Sequence, residues 1–225
     1  MGRALIGGLL RAGTRPEQLS VGESQTAARV ALARDFGVSA SDDYRAAVSG
    51  ASLVVLAVKP QDAQGLLQPL AAELGASRPL LISVAAGVRI AQLQSWCGSG
   101  VPVMRAMPNA PARVGAGATG AYAPPAVGRE QRAAAERLLQ ALGEVVWVSA
   151  EELLDVVTAL SGSGPAYFFL LAELLAEAGA QLGLPVSVAQ RLSAATLYGS
   201  GLLAHGAGAG LARLRAEITS PGGTT

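Results

Sequence analysis

Cysteine, histidine and lysine each occur once in the 225 residues, as Cys97, His205 and Lys59. A single thiol excludes an internal disulfide and any metal cluster built on several thiolates. A single histidine, set in the Gly/Ala stretch His205 to Gly210, reads as a solvated surface residue, which leaves a serine hydrolase without its base. Aromatic residues make up only 4% of the chain, so platforms for stacking bases are scarce. Charged residues make up 15%, with a net charge of +1. No basic stripe is available to neutralise a phosphate backbone, and nucleic acid is excluded as a partner. No uninterrupted apolar run approaches the roughly 18 residues that cross a bilayer, so no membrane partner is expected. Met1 to Leu10 mimics the start of a signal peptide, with Arg3 before a short apolar run. Arg11 ends that run and no small-residue cleavage site follows. The expectation is a soluble, cytoplasmic protein.

What is present is apolar and small. Half of the chain is hydrophobic (51%) and 28 residues are glycine. That composition supplies surface to bury and argues against disorder. Residues 2–12 predict a helix, with Leu5, Ile6, Leu9 and Leu10 on one face and Gly13 as its stop. Leu19 to Gly22 predicts a strand ending in Glu23, and Thr26 to Phe36 a helix ended by Gly37. Leu53 to Val58 and Leu80 to Val84 are continuous apolar runs, the pattern of strands buried on both faces. A helix carrying Leu66, Leu67, Leu70 and Leu74 lies between them. Val101 to Met104 and Val145 to Val148 are further strands, the latter after a helix over Arg129 to Leu142. Alternating strands and helices imply an α/β fold, a doubly wound parallel sheet, over residues 1–150. From Glu151 the strand signals stop. Phe168, Leu171, Leu175, Ala178 and Leu182, then Val188, Leu192, Ala195, Gly199 and Leu202, recur at helical spacing. Residues 151–225 therefore read as an all-helical second domain, short of core alone and suited to pairing with a second chain.

Several turns fall where the sheet's carboxyl ends would lie, the edge at which open α/β sheets bind ligands. Ala57-Val58-Lys59-Pro60 places the lone lysine there, with a snorkelling loop lysine as the plain alternative. Ser83-Val84-Ala85-Ala86-Gly87 leaves room for a flat ring against backbone, or simply packs closely. Arg105-Ala106-Met107-Pro108-Asn109 offers Asn109 either as a substrate ligand or as a cap. Glu23, about twenty residues after Gly2, matches the acid that takes ribose hydroxyls in dinucleotide-binding units, although only the last glycine of G-x-G-x-x-G remains, as Gly2. Ser161 to Tyr167 reads as a loop entering a long helix. The terminal Ser220-Pro221-Gly222-Gly223-Thr224-Thr225 reads as a helix start whose backbone N–H groups can hold an anion, or as a plain cap.

Taken in order, Ala-Val-Lys-Pro, Ser-Val-Ala-Ala-Gly-Val, Arg-Ala-Met-Pro-Asn, Leu-Ser-Gly-Ser-Gly-Pro-Ala-Tyr and Thr-Ser-Pro-Gly-Gly-Thr-Thr resemble pyrroline-5-carboxylate reductases over the whole chain. The resemblance implies a Rossmann-like domain followed by a helical dimerisation domain, forming a homodimer or a larger homo-oligomer. It implies reduction of 1-pyrroline-5-carboxylate to L-proline with NADP, or with NAD, as the cofactor. It puts the cofactor on Ala57, Val58, Lys59 and Pro60, with nicotinamide beside Ala85 and Ala86, while Gly2, Glu23, Ser24 and Tyr44 are the further cofactor candidates. It puts the substrate carboxylate on the nest of Ser220, Gly223, Thr224 and Thr225, with the Thr225 hydroxyl near the imine nitrogen as the catalytic group, and Asn109 is the further substrate candidate. No metal is called for. Family members begin with a strand and G-x-G-x-M-G, and they continue beyond the final Thr-Thr, so the resemblance implies a chain cut at both ends. Tyr44 replaces the family's usual asparagine. Glu23 suits a free ribose hydroxyl, whereas Ser24 and Arg29 suit a 2′-phosphate, and the two remain open. The alternatives are an inactive fragment that at most dimerises, or a reductase for another imine or a 3-hydroxy acid. The last would need a lysine on the helix after Ser161, and none is there.

Overall fold

The computed structural model describes residues 1–206, 210–219 and 222–224. They form two compact units, Met1–Pro165 and Ala166–Thr225. The loss of strand signals after residue 150 thus precedes the division between units, because 151–165 folds with the first.

The first unit opens with helix α1 (Gly2–Arg11), which buries Leu5, Ile6, Gly7 and Gly8. Gly8 is required by close approach: a Cβ there would stand 2.2 Å from the Ala141 carbonyl oxygen. Strands β1 (Ser20–Gly22) and β2 (Ser39–Ser41) pair in parallel around helix α2 (Thr26–Phe36). Gly37, at φ +67°, ends that helix in the left-handed conformation. Ile6, Leu32 and Val38 form the small core over this pair. Helix α3 (Tyr44–Val48) follows, with the Asp43 carboxylate accepting the Arg45 and Ala46 N–H groups.

A separate five-stranded sheet holds the main core. Its strands, in spatial and chain order, are β3 (Leu53–Leu56), β4 (Leu80–Ser83), β5 (Val103–Met107), β6 (Gly117–Tyr122) and β7 (Gly143–Trp147). Helices α4 (Ala63–Leu67) and α5 (Ala71–Ser77) connect β3 to β4, α6 (Ile90–Cys97) connects β4 to β5, and α7 (Arg129–Gln140) connects β6 to β7. Side chains alternate across a strand, so the continuous apolar run of β4 feeds two cores. Leu81 joins Leu67, Leu74, Leu93 and Val103 on one face. Leu80 and Ile82 join Met104, Leu139 and Leu142 on the other. Covering by helices on both faces accounts for the absence of polar alternation.

The sheet departs from the parallel expectation at one pair. β5 and β6 run antiparallel, whereas β3–β4, β4–β5 and β6–β7 are parallel. A parallel return needs a crossover of roughly a dozen residues or more. The short 3₁₀ turn Ala110–Val114 can only reverse the chain. β6 itself, Gly-Ala-Thr-Gly-Ala-Tyr, has only Thr119 and Tyr122 as strand-favouring residues among glycines and alanines. Its glycines answer packing instead, since a Cβ at Gly120 would fall 2.6 Å from Val157 Cγ1. Val157 ends helix α8 (Leu153–Val157), which runs into the π-helical turn Thr158–Gly162 and then helix α9 (Gly164–Gln181). The Ser161–Tyr167 stretch is therefore helical rather than the expected loop.

The second unit consists of the remainder of α9, α10 (Val186–Gly206) and α11 (Leu211–Glu217). The Gly183-Leu184-Pro185 break is as read, with Gly183 at φ +104°. The Ser193 hydroxyl donates to the Ala172 carbonyl and ties α10 to α9. His205 lies in the last turn of α10, not in a loop, and is exposed. Phe168, Phe169, Leu171, Leu175, Leu192 and Leu202 are all more than half exposed. By length and composition alone, the helical run Leu153–Gln181 would also suffice to cross a membrane.

Candidate active site

Three turns expected to meet a ligand leave the carboxyl ends of parallel strands. Glu23 follows β1, Ala57–Pro60 follows β3, and Val84–Gly87 follows β4. The start of α1 reaches the β3 turn: a Cβ on Gly2 would stand 3.8 Å from that of Ala57. The N–H groups of Gly2 and Arg3 belong to the first helical turn, where no intrahelical acceptor exists and anions are favoured. Ala57, Lys59 and Pro60 are exposed and Val58 half-buried. Lys59 precedes the 3₁₀ turn Pro60–Asp62 with an extended backbone.

The β4 turn is tightly specified. Ser83 is buried and its hydroxyl accepts the Ala85 N–H at 3.3 Å. Ala85 is buried, Ala86 is exposed, and Gly87 adopts φ +75°. Small side chains therefore leave the backbone uncovered where a planar ring would approach.

At the β1 end, the Glu23 N–H donates to the Ser41 carbonyl and its Oε1 accepts the Gln25 N–H at 2.9 Å. Arg29 is committed to this turn. Its Nη1 donates to the Glu23 and Ser24 carbonyls at 2.9 and 2.8 Å. Its Nη2 donates to Thr26 Oγ1 and pairs with Asp42 at 3.0 Å. Ser24 is exposed. Tyr44 lays its ring over Gly22, where a Cβ would meet Tyr44 Cδ1 at 2.5 Å, so glycine is required at the strand's end.

Asn109 sits at the head of the Ala110–Val114 turn without capping it. Its Oδ1 accepts the Ala118 N–H at 2.9 Å, and its Nδ2 donates to the Ser161 carbonyl at 3.0 Å. Both ends of the amide thus brace β6 and the π-helical turn. Gly223 and Thr224 are exposed. Ser220 and Thr225, expected on the substrate side, lie outside the described residues.

One polar constellation escaped the sequence reading. Arg105, 4% exposed within β5, pairs with Glu151 through Nη1 and Oε1 at 2.9 Å. The same Glu151 oxygen accepts the Ile90 N–H at 2.8 Å, and Arg89 pairs with Asp155 at 2.7 Å. An arginine inside an apolar strand is the signal that points to such a pair, but its partner is far away in sequence. No cluster of three or more metal-ligating side chains occurs among the described residues.

A helix start beside a strand-end turn, an acid at the end of β1 and small residues after β4 are the elements from which dinucleotide-binding units of open α/β sheets are built. They define a Rossmann-type nicotinamide oxidoreductase. Comparison with known proteins agrees. Residues 1–87 match the family model described as NADP oxidoreductase, coenzyme F420-dependent, and residues 151–225 match that of pyrroline-5-carboxylate reductase dimerisation. The pyrroline-5-carboxylate reductase of Pseudomonas aeruginosa is 40% identical over 225 residues, covering 100% of this chain and 82% of its own. That of Mycobacterium tuberculosis is 42% identical over 250 residues, covering 100% and 83%. Among solved structures, a pyrroline-5-carboxylate reductase from Coxiella burnetii superposes with a TM-score of 0.94 at 38% identity, over 99% of this chain and 83% of that one. The Plasmodium falciparum pyrroline carboxylate reductase with NADP bound gives 0.83 at 28% identity, over 99% and 82%. The chain belongs to the pyrroline-5-carboxylate reductase family.

Proposed function

We propose that the chain reduces 1-pyrroline-5-carboxylate to L-proline with NADPH or NADH, as the last step of proline biosynthesis. The observation that carries this reading is the approach of Gly2 to Ala57 at the end of β3, beside the small-residue turn after β4, in a chain whose relatives bear this activity by name. A bound nicotinamide supplies the hydride. The chain's residues supply position, the main source of acceleration when hydride donor and C=N carbon must be held together. The first turn of α1 and Lys59 offset the pyrophosphate charge. Val58 and Pro60 line the same turn, and Glu23, Ser24 and Tyr44 take the adenosine end. Ala85 and Ala86 admit the nicotinamide ring.

On the substrate side, the backbone of Ser220, Gly223 and Thr224 receives the carboxylate. The Thr225 hydroxyl holds the imine nitrogen and its proton. Asn109 contributes by bracing Ser161. The exposed apolar faces of α9 and α10 are covered by a second copy, in keeping with the matched dimerisation domain. The enzyme works in the cytoplasm. The test is oxidation of NADPH and NADH by the purified chain with pyrroline-5-carboxylate, beside Thr225→Ala. Loss of one hydroxyl contact is expected to cost about 1–3 kcal/mol in kcat/KM. Turnover of another imine but not this one would overturn the assignment, and an unaltered Thr225→Ala would remove that residue from the site.

A further inference from the structure

We infer that Arg105 and Glu151 are positioning residues that hold the Ala85–Gly87 turn in the shape the nicotinamide ring requires. The inference rests on the cofactor reading above and adds what keeps that turn in place. The turn is fastened at its start by Ser83, whose hydroxyl accepts the Ala85 N–H. At its far end the chain enters α6 at Ile90, whose N–H is one of the orphan donors of a helix start. Arg89, the residue before α6, offers it no side-chain cap. The acceptor comes instead from Glu151, 61 residues away in sequence, at 2.8 Å.

Glu151 is held in turn by Arg105, whose side chain is 5% exposed in the middle of the sheet. A second tie, Arg89 to Asp155, runs beside the first. The turn is thus clamped between β4, β5 and the segment leading into α8. Stability alone is a poor account of this cluster. A buried pair generally contributes no more than a well-packed apolar pair of the same volume, and removing one partner strands the other charge. Here, moreover, Arg105 Nε and Arg89 Nη1 are buried without hydrogen-bond partners among the described residues, which adds to the expense. What an apolar pair cannot supply is an acceptor for Ile90 N–H. That acceptor sets where the turn ends.

The test separates clamping from simple stabilisation. Glu151→Ala and the double variant Arg105→Met/Glu151→Leu are compared with the unaltered chain in three measurements. These are urea unfolding, hydrogen exchange of peptides spanning residues 84–92, and affinity for the oxidised dinucleotide against ADP-ribose, which lacks nicotinamide. Glu151→Ala is expected to lower stability and the double variant to recover it. In both, exchange over 84–92 should rise by about tenfold or more while the β4 and β5 strands remain protected. Dinucleotide affinity should fall about tenfold with ADP-ribose affinity unchanged, the factor for loss of one well-placed contact. Equal loss of both ligands, or wild-type exchange and affinity in the double variant, would overturn the proposal. An unaltered chain that binds neither ligand would refute the cofactor reading, and with it the nicotinamide role, while exchange would still decide whether Glu151 clamps the turn.

Discussion

Replacing Asn109 by alanine removes a brace rather than a surface contact, and its cost follows from the geometry. Two hydrogen bonds vanish, to the Ala118 N–H at 2.9 Å and to the Ser161 carbonyl at 3.0 Å. An intact bond contributes about 0.5–1.5 kcal/mol net, whereas each partner left unsatisfied costs about 1–3 kcal/mol instead if water cannot reach it. Ala118 and Ser161 are half-buried rather than sealed, so the lower part of that range applies. The expected loss is about 2–4 kcal/mol, and a chain of this size loses roughly 2–4 °C of Tm per kcal/mol. Differential scanning calorimetry and urea unfolding measure it directly. Asn109→Asp is a sharper probe. It keeps the acceptor for Ala118 but turns a carboxylate toward the Ser161 carbonyl oxygen. Its deficit at neutral pH should match or exceed that of alanine and shrink in acid, where the protonated group can donate again. Turnover should decline in step with the π-helical turn's disorder. An Asn109→Ala variant within about 0.5 kcal/mol of the parent, yet without activity, would refute the brace and return Asn109 to direct contact with substrate.

Gly8→Ala gains helix propensity of up to about 1 kcal/mol. The new Cβ stands 2.2 Å from a backbone oxygen, so net destabilisation of about 1–3 kcal/mol is expected, and an unchanged urea midpoint would refute the close packing of α1. Cys97 is fully buried and burial pushes its thiol above the usual range, so a thiol-specific reagent should react only as the chain unfolds. Rapid modification of the native protein would contradict that burial. Arg34 first, then Arg3, hold the Asp35 carboxyl down at about 2. Its folded value lies below the unfolded value of about 3.9, so its contribution is present above that pH and is lost as pH falls toward about 2. Asp35→Asn should flatten stability across that interval, and an identical acid profile in the variant would show that the pair carries no linkage.

Much of the fold was legible because periodicity reports burial. The runs at Leu53 and Leu80 read as strands covered on both faces, and each feeds two cores. Gly13 and Gly37 marked helix ends, both with positive φ. β6 was not legible, because Gly117 and Gly120 fit close neighbours rather than favour a strand. β2 was missed for a related reason: Ser39–Ser41 is too short and polar to show a period. The π-helical turn over Thr158–Gly162 is likewise a product of packing, with Gly162 set against Met107.

By itself the sequence determined the α/β class, the change to helices after about residue 150, and the strand-end turns that carry the family's motifs. These are local properties, written in apolar spacing and in the turn residues that stop each element. Tertiary structure alone decided the antiparallel return of β6, the commitment of Arg29 to its own turn and the use of Asn109 as a brace. It also decided that Glu151 should cap a helix at Ile90 from 61 residues away. Most buried donors and acceptors find a partner wherever the fold brings one near. Which partner that is depends on distances in space, and spacing along the chain does not encode them.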